Sequence, residues 1–446
     1  MGGVGTDDEQ DGIMSIRSLQ PGIHEAWRGL VDVHGPLAAA GMVGLSVALP
    51  LASNLVPLFL VLALVGLVLR FRSVMGLPAR MDWSTPWPWM VLLFVWHLVG
   101  MAWTDDTAFG SFDLQIKAPM LAVGVVAMLM PVAARVGRRS MLLMGTLANA
   151  LAVVVCLISA VVRIGIGTDL APAQEVFSAR FSYFVHPSYF AMYLAISLAA
   201  WVLTDLHAKV PLVWDRAVSL LLVVGIVLCG SKMGWIMLAL LLPVALVVRW
   251  RDGVVRRHVL GMMLFSVLGL SALIGGSAFA RERVKEAWRV ALSDEVDANA
   301  STSSAVRRLT WSAAQELVAE APLKGTGTGD IKNELMRLYR ERGQEWAWEH
   351  RLNAHSQYLQ TAACLGIGAL VILVLMLLAP LLSRAHRHDP LIWAFLVGSA
   401  INWSVESMLE VQAGVVYFAV MSLWVFWADE DPARTSSHTS KALSAS

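Results

Sequence analysis

Residues 36–70 read PLAAAGMVGLSVALPLASNLVPLFLVLALVGLVLR, 35 positions in which the only charge is the closing Arg70. A helix that crosses a bilayer takes about 20 mostly apolar residues, so this run is too long for one crossing and suits two. Pro50 and Ser53-Asn54 offer a place for the chain to reverse, which divides the run into spans 36–51 and 53–70. Further apolar stretches follow at 87–104, 118–136, 141–163, 188–204, 211–228, 233–249, 258–275, 361–381, 390–405 and 412–428. The sequence therefore predicts an all-α polytopic membrane protein with about 12 transmembrane helices. Composition agrees: of 446 residues, 57% are apolar and 15% charged, and the mean hydropathy is +0.63. Such a chain cannot cover a soluble globule with polar surface, and it is neither disordered nor fibrous. A net charge of +1 points to no nucleic-acid partner. Cys156, Cys229 and Cys364 lie in apolar runs at wide spacing and read as buried packing residues.

Loop charge predicts the orientation. The start of the chain is polar, with Asp7, Asp8, Glu9 and Asp11, and lacks the basic region of a cleaved signal, which places it in the cytosol. With segment 1–35 inside, the cytosolic loops hold 14 Lys/Arg, whereas the short outside loops hold Lys117, Arg163, Arg180 and Lys232. Spans 1–9 then occupy 36–275, and segment 276–358 becomes a large outside loop between spans 9 and 10. Spans 10–12 occupy 359–428, and a disordered cytosolic tail follows over 429–446. The loop holds 24 of the 67 charges. It reads as helical: Ser303 or Ser304 is placed to cap a helix with Val306, Leu309, Ala313 and Leu317 on one face, stopped by Pro322. Asp330 is placed to cap a second, with Ile331, Leu335, Leu338 and Tyr339 on one side. Such helices can roof a cavity between spans.

Cations on the outside face are rare in this chain and draw attention for that reason. Lys232 sits in Gly230-Ser231-Lys232-Met233-Gly234-Trp235, Arg180 precedes His186-Pro187, and Arg307 and Arg308 open the loop helix. They suit an anionic substrate; the plainer alternative is snorkelling, or pairing with Glu175 or Glu316. Gly325-Thr326-Gly327-Thr328-Gly329-Asp330 has the composition of an anion-cradling loop without the strand or Lys-Ser/Thr of a P-loop, so a turn between loop helices is an equal reading. His355, with Asn353, Gln357 and Gln360 nearby, stands at the mouth of the tenth span, where an imidazole can take a proton from a hydroxyl near neutral pH. Glu406 and Glu410, four apart, are placed on one face at the outer end of the eleventh span, as a base, a ligand or simple interfacial caps. His386, His388 and Asp389 read as loop polarity. The chain has no H-E-x-x-H, paired acidic motif or CxxC, which argues against metal chemistry, and no cofactor is expected.

Taken in order, several of these stretches resemble the O-antigen ligase/polymerase superfamily of bacterial polysaccharide enzymes. They are Phe184-Val185-His186-Pro187 running into Tyr193-Leu194, Gly230-Ser231-Lys232 with Trp235, Arg308 with Trp311 and Pro322-Leu323-Lys324-Gly325-Thr326-Gly327, and His355 with Tyr358-Leu359-Gln360 and Leu365-Gly366. The resemblance extends over roughly residues 36–428. It implies a metal-independent, GT-C-like glycosyltransferase acting on undecaprenyl-diphosphate-linked glycans at the periplasmic face of the inner membrane. In its ligases two basic residues engage the lipid diphosphate and a loop histidine is essential. Those roles would fall on Lys232, on Arg308 or its neighbour Arg307, and on His355, with Arg180 as a further cation and Asn353, Gln357, Trp311, Gly325 and Gly327 in support. Lys232 departs from the arginine more usual at its position: the charge stays, but the bidentate fork is lost.

The resemblance favours an O-antigen ligase, moving O-antigen from undecaprenyl diphosphate to lipid A–core oligosaccharide in lipopolysaccharide biosynthesis. The related alternatives are an O-antigen polymerase and a protein O-oligosaccharyltransferase. The alternative from another class is a polysaccharide or lipid transporter, which predicts paired broken helices or inverted repeats with charges near the bilayer midplane.

Overall fold

A computed structural model describes residues 20–72, 81–167, 170–206, 210–276, 278–292 and 297–428. The described residues form helices and no β-sheet; one bridge joins Val136 to Ala428. The acidic start of the chain, Arg80, Lys209 and the tail 429–446 lie outside the described residues.

The first helix, α1 (Gln20–His34), lies in the segment read as a polar cytosolic stretch. It is anchored by buried Ala26 and Leu30 and by His34, whose ring stacks on Trp427 at 4.9 Å. The run that opened the sequence folds as α2 (Pro36–Leu51) and α3 (Val56–Phe71), broken at Ala52 and the short turn Ser53–Leu55. There follow α4 (Pro86–Gly100), α5 (Thr107–Leu129), α6 (Arg138–Ile166), α7 (Pro187–Leu203), α8 (Leu212–Leu228), α9 (Lys232–Val248) and α10 (Gly253–Gly276). The charged segment contributes α11 (Ala278–Leu292), α12 (Ser303–Glu320) and α13 (Ile331–Glu341). The chain closes with α14 (Gln357–Leu382), α15 (Pro390–Trp403) and α16 (Gln412–Phe426). Each predicted span coincides with or overlaps one helix. Six helical stretches, at 53–71, 86–103, 107–129, 138–166, 253–276 and 357–382, are long and apolar enough to cross a membrane. The whole is a multi-pass membrane protein by its apolar helices.

Burial sorts the helices. α7 and α16 are apolar on all sides and buried along nearly their whole length, as central helices must be. Tyr193 of α7 and Tyr417 of α16 stack at 3.9 Å in this core. α3 and α10 instead present Leu58, Val61, Leu264 and Val267 outward. Such apolar surface is stable against hydrocarbon and not against water.

Among the span boundaries that differ from the hydropathy reading, two bring charged residues into helices. The fourth predicted span, α5, runs over Thr107–Leu129 rather than 118–136. Asp106 caps it by accepting from the Phe109 amide, and Met130 turns extended ahead of Pro131, which ends it. Lys117 is therefore no loop residue. It is 1% exposed within α5 and paired with Asp113 at 2.5 Å and Glu410 at 3.1 Å. Arg163 likewise belongs to the last turn of α6, which stops at Gly167. Hydropathy windows exclude charged residues from spans; partners placed by tertiary packing admit them.

The helices of the charged segment form where their patterns predict, with Val306, Ala313 and Leu317 buried on α12 and Ile331, Leu335, Leu338 and Tyr339 on α13, whereas Leu309 is only half-buried. Their caps do not. Thr302 occupies the cap position of α12 without a side-chain capping bond, since its hydroxyl goes to Glu286, and the Ser303 and Ser304 hydroxyls face Lys232. The Asp330 carboxylate accepts from the amides of Asp105 and Asp106 instead of capping α13.

Chain reversal from one helix to the next brings the N-termini of α7, α9, α14 and α16 and the C-terminus of α15 to one end of the bundle. α12 packs on α14 at that end.

Candidate functional site

Lys232 is the first residue of α9, and Ser231 caps that helix by accepting from the Gly234 amide. The lysine ammonium donates to Glu286 of α11 at 3.1 Å and to the Ser304 hydroxyl at 2.6 Å, with Ser303 at 3.5 Å. One turn on, Arg307 donates to the Ser303 carbonyl at 3.2 Å, to the Val405 carbonyl at 2.8 Å and to Glu406 at 2.6 Å. Arg308, the next residue, donates to the Val290 carbonyl of α11 at 2.9 Å. Three cations thus surround the start of α12. The N-termini of α9 and α12 add the positive ends of two helix dipoles.

His355 is held beside them in a backbone conformation a histidine rarely adopts, with φ +46°. Four contacts impose it. The Asn353 carboxamide accepts from the His355 amide at 3.0 Å, and the Trp311 indole donates to its carbonyl at 3.1 Å. Gln360 accepts from the Ala354 amide at 3.0 Å, and Thr310 donates to the Ala354 carbonyl at 3.3 Å. The imidazole Nδ1 lies 3.4 Å from Glu406. A carboxylate only accepts, so this contact places the proton on Nδ1 and leaves Nε2 as the acceptor nitrogen.

Glu406 is the residue that ties the site together. It accepts from Ser188 of α7 at 3.2 Å as well as from Arg307 and His355. Burial acts to raise its pKa, but the hydrogen bond from His355 and the Arg307 guanidinium prevail and hold it at about 2. Glu286 is pulled below the usual carboxylate value in the same way: burial opposes, and Thr302, Lys232 and Ser304 outweigh it. The Glu406/Glu410 pair does not share a helical face, since α15 ends at Trp403. Glu410 turns inward to Lys117 and to the Gln357 carboxamide, 3.1 Å away. Gln357 is thereby a structural tie between α14, α5 and the 404–411 turn, and it also accepts from the Leu409 amide at 2.7 Å.

Arg180 stands apart. It grips fully buried Glu175 through two nitrogens, at 2.8 and 3.2 Å, and Arg163 holds the same carboxylate at 2.7 Å. This is the pairing role rather than the anion-binding one.

The glycine loop is no open cradle. Its amides at Thr326 and Gly327 donate to the Ala363 and Cys364 carbonyls, both at 2.9 Å, and the Gly329 amide donates to Thr104. Those carbonyls are available because α14 breaks at Gly366, where φ is +77°. The Leu365 carbonyl takes the Trp96 indole, and the Ile367 amide donates to Pro322. Gly325 and Gly366 are glycines because a Cβ on either would strike the backbone of the other segment. The loop locks α12 onto α14 and so sets the distance between Arg307 and His355.

Nearby, an apolar groove of about 510 Å³ follows α15 from Arg387 and Pro390 to Ile401, walled by Ile196 of α7 and Leu241 of α9. Its upper end lies four residues before Val405. Among the described residues no group of three or more His, Cys, Asp or Glu gathers as a metal site would need.

Residues 217–374 match the family model described as O-antigen ligase. Over that stretch the chain is similar to the O-antigen ligase family, which supports the O-antigen ligase/polymerase superfamily. The matched stretch contains Lys232, Arg307, Arg308, Trp311, the glycine loop and His355, whereas Arg180 and Glu406 fall outside it. Family members are membrane glycosyltransferase-like enzymes acting in a lipid setting. No curated protein matches the chain.

Glu286 and the hydroxyls of Ser303 and Ser304 were missed as site residues at the level of sequence, and Glu406 was read, with Glu410, as a base, a ligand or an interfacial cap. The spacing of Glu406 and Glu410 was the available signal; its reading as a shared helical face hid their different destinations.

Proposed function

We propose that the protein is an O-antigen ligase with twelve crossings and the α12 end of the bundle in the periplasm. It transfers O-antigen from undecaprenyl diphosphate to lipid A–core oligosaccharide. The observation that carries this reading is the convergence of Lys232, Arg307 and the His355–Glu406 pair at the first turns of α12. Lys232, with Arg307 or Arg308, neutralises the diphosphate, displacing Glu286 from the lysine. An ester of that kind leaves readily once its charge is compensated, so charge does the work that a general acid does elsewhere. His355 Nε2 takes the proton from the acceptor sugar hydroxyl, whose oxygen attacks the anomeric carbon as the bond to the diphosphate oxygen breaks. Attack opposite the leaving group inverts the anomeric centre. Glu406 orients the ring and stabilises the imidazolium as it forms. The groove along α15 suits the polyprenyl chain of the donor. No metal enters the scheme, so a chelator leaves the rate unchanged.

The transporter alternative expects paired broken helices. Among the described residues only α14 is interrupted by non-helical backbone, and its partner at the break is the glycine loop.

Reconstitution with undecaprenyl-diphosphate glycan and three acceptors (lipid A–core, a second carrier-linked glycan, a peptide) tests the reading. Transfer to lipid A–core alone supports the ligase; transfer to either of the others instead identifies the polymerase or the oligosaccharyltransferase. Lys232→Arg retains activity and Lys232→Ala loses it; equal rates in both would remove the lysine from the diphosphate site.

A further inference from the structure

At the end of the bundle remote from Lys232, α8 and α10 pack side by side and enclose a groove of about 420 Å³. Its mouth holds Arg216, Arg257 and His258, and its floor is apolar, formed by Leu220, Met262 and Phe265. The neighbouring cations are occupied: Arg249 pairs with Asp205 at 2.6 Å, and Arg256 lies over the Trp250 ring at 5.2 Å. The nearby carboxylates are occupied too, Asp215 by the Trp201 indole and Asp252 by the amides of Val254 and Val255. Among the described residues neither Arg216 nor Arg257 has an ion-pair partner. Two unpaired guanidiniums above an apolar trough ask for a ligand with an anionic head and a hydrocarbon body.

We propose that this groove binds an anionic phospholipid, its phosphate between Arg216 and Arg257 and an acyl chain along Leu220, Met262 and Phe265. Basic pockets between membrane helices hold anionic headgroups in this manner. α10 is the least buried of the six long apolar helices, so the groove opens to surrounding lipid. Gly261 lines it, and a side chain added there would meet nothing within 4 Å. That leaves the trough unfilled at the level where a chain would pass.

Native mass spectrometry of the full-length protein provides the test, with phosphatidylglycerol, phosphatidylcholine of matched chains, and glycerol phosphate as probes. Phosphatidylglycerol is expected to bind at least tenfold more tightly than phosphatidylcholine, and glycerol phosphate not to be retained. Arg216→Gln with Arg257→Gln should abolish the preference. Gly261→Leu should weaken phosphatidylglycerol while leaving both arginines in place, and an unchanged melting temperature confirms that it folds. Equal retention of the two lipids, a preference that survives the double substitution, or glycerol phosphate bound as tightly as the lipid would each overturn the proposal.

Discussion

Glu406 accepts hydrogen bonds from Ser188, Arg307 and His355 while only 5% of it reaches solvent. A buried ion pair broken on one side costs about 3–5 kcal/mol, because the remaining charge is stranded. Glu406→Ala should therefore lower the melting temperature markedly, and Glu406→Gln less, since the amide still accepts a hydrogen bond. Acid should erase the contribution of Glu406 in a defined window. Its pKa falls from an ordinary 4.5 to about 2 on folding, so the stabilisation is complete above 4.5 and fades as pH drops towards 2. Melting curves of wild type and Glu406→Gln should keep their separation above about pH 5, draw together as the pH falls from about 4.5, and converge near pH 2. Separation that persisted at pH 2 would show that the charge is not what stabilises. For activity, His355→Ala should cost about 100-fold or more in transfer rate.

Helix α14 is best understood as two half-helices whose broken joint is filled by the glycine loop. The carbonyls of Ala363, Cys364 and Leu365 take donors from Thr326, Gly327 and Trp96. Unpaired backbone groups are not tolerated at membrane depth, so the break exists only with the loop in place. Gly366→Ala puts an alanine where φ is +77° and ψ −178°, and a Cβ into the Leu323 carbonyl. Strain of this kind costs about 1–3 kcal/mol before the collision is counted. The expected result is a lower melting temperature together with a lower rate, because the loop sets where α12 stands. Trp311→Phe makes a narrower test of the same element. It keeps the ring and removes the donor to the His355 carbonyl, worth about 1 kcal/mol. A rate reduced roughly fivefold with little change in melting temperature would place the indole as a positioning group for His355; an unchanged rate would deny it that role.

At the scale of the molecule, the orientation proposed from loop charge can be read by labelling. Cys156, Cys229 and Cys364 are free and buried, so an impermeant thiol reagent finds little background. Leu323, 81% exposed beside the glycine loop, and Val213, 72% exposed at the start of α8, lie at opposite ends of the bundle. Leu323→Cys should react in intact spheroplasts and Val213→Cys only after permeabilisation. The reverse pattern would place the candidate site in the cytosol and end the ligase reading.

The apolar runs made the helical, multi-pass architecture legible, because transfer of side chains to hydrocarbon is decided residue by residue and needs no knowledge of neighbours. Periodicity placed α12 and α13 and their buried faces for the same reason. Lys232, Arg307, Arg308 and His355 stood out as polar residues in unusual places, and the fold brings three of the four to one spot. Everything that depends on partners had to wait for the tertiary structure. Lys117 was assigned to a loop because the second of its two countercharges, Glu410, is 293 positions away, and Asp113 four positions before it does not by itself reveal a buried pair. Arg180 stood out as an anion binder until buried Glu175 claimed it. The glycine loop has the composition of a phosphate cradle, and its amides are taken by a helix broken some 40 residues later. A charge or an unpaired amide has an energy set by what faces it. The sequence determined which residues are polar inside this membrane protein, and only the packing of helices decided which of them remain available to a substrate.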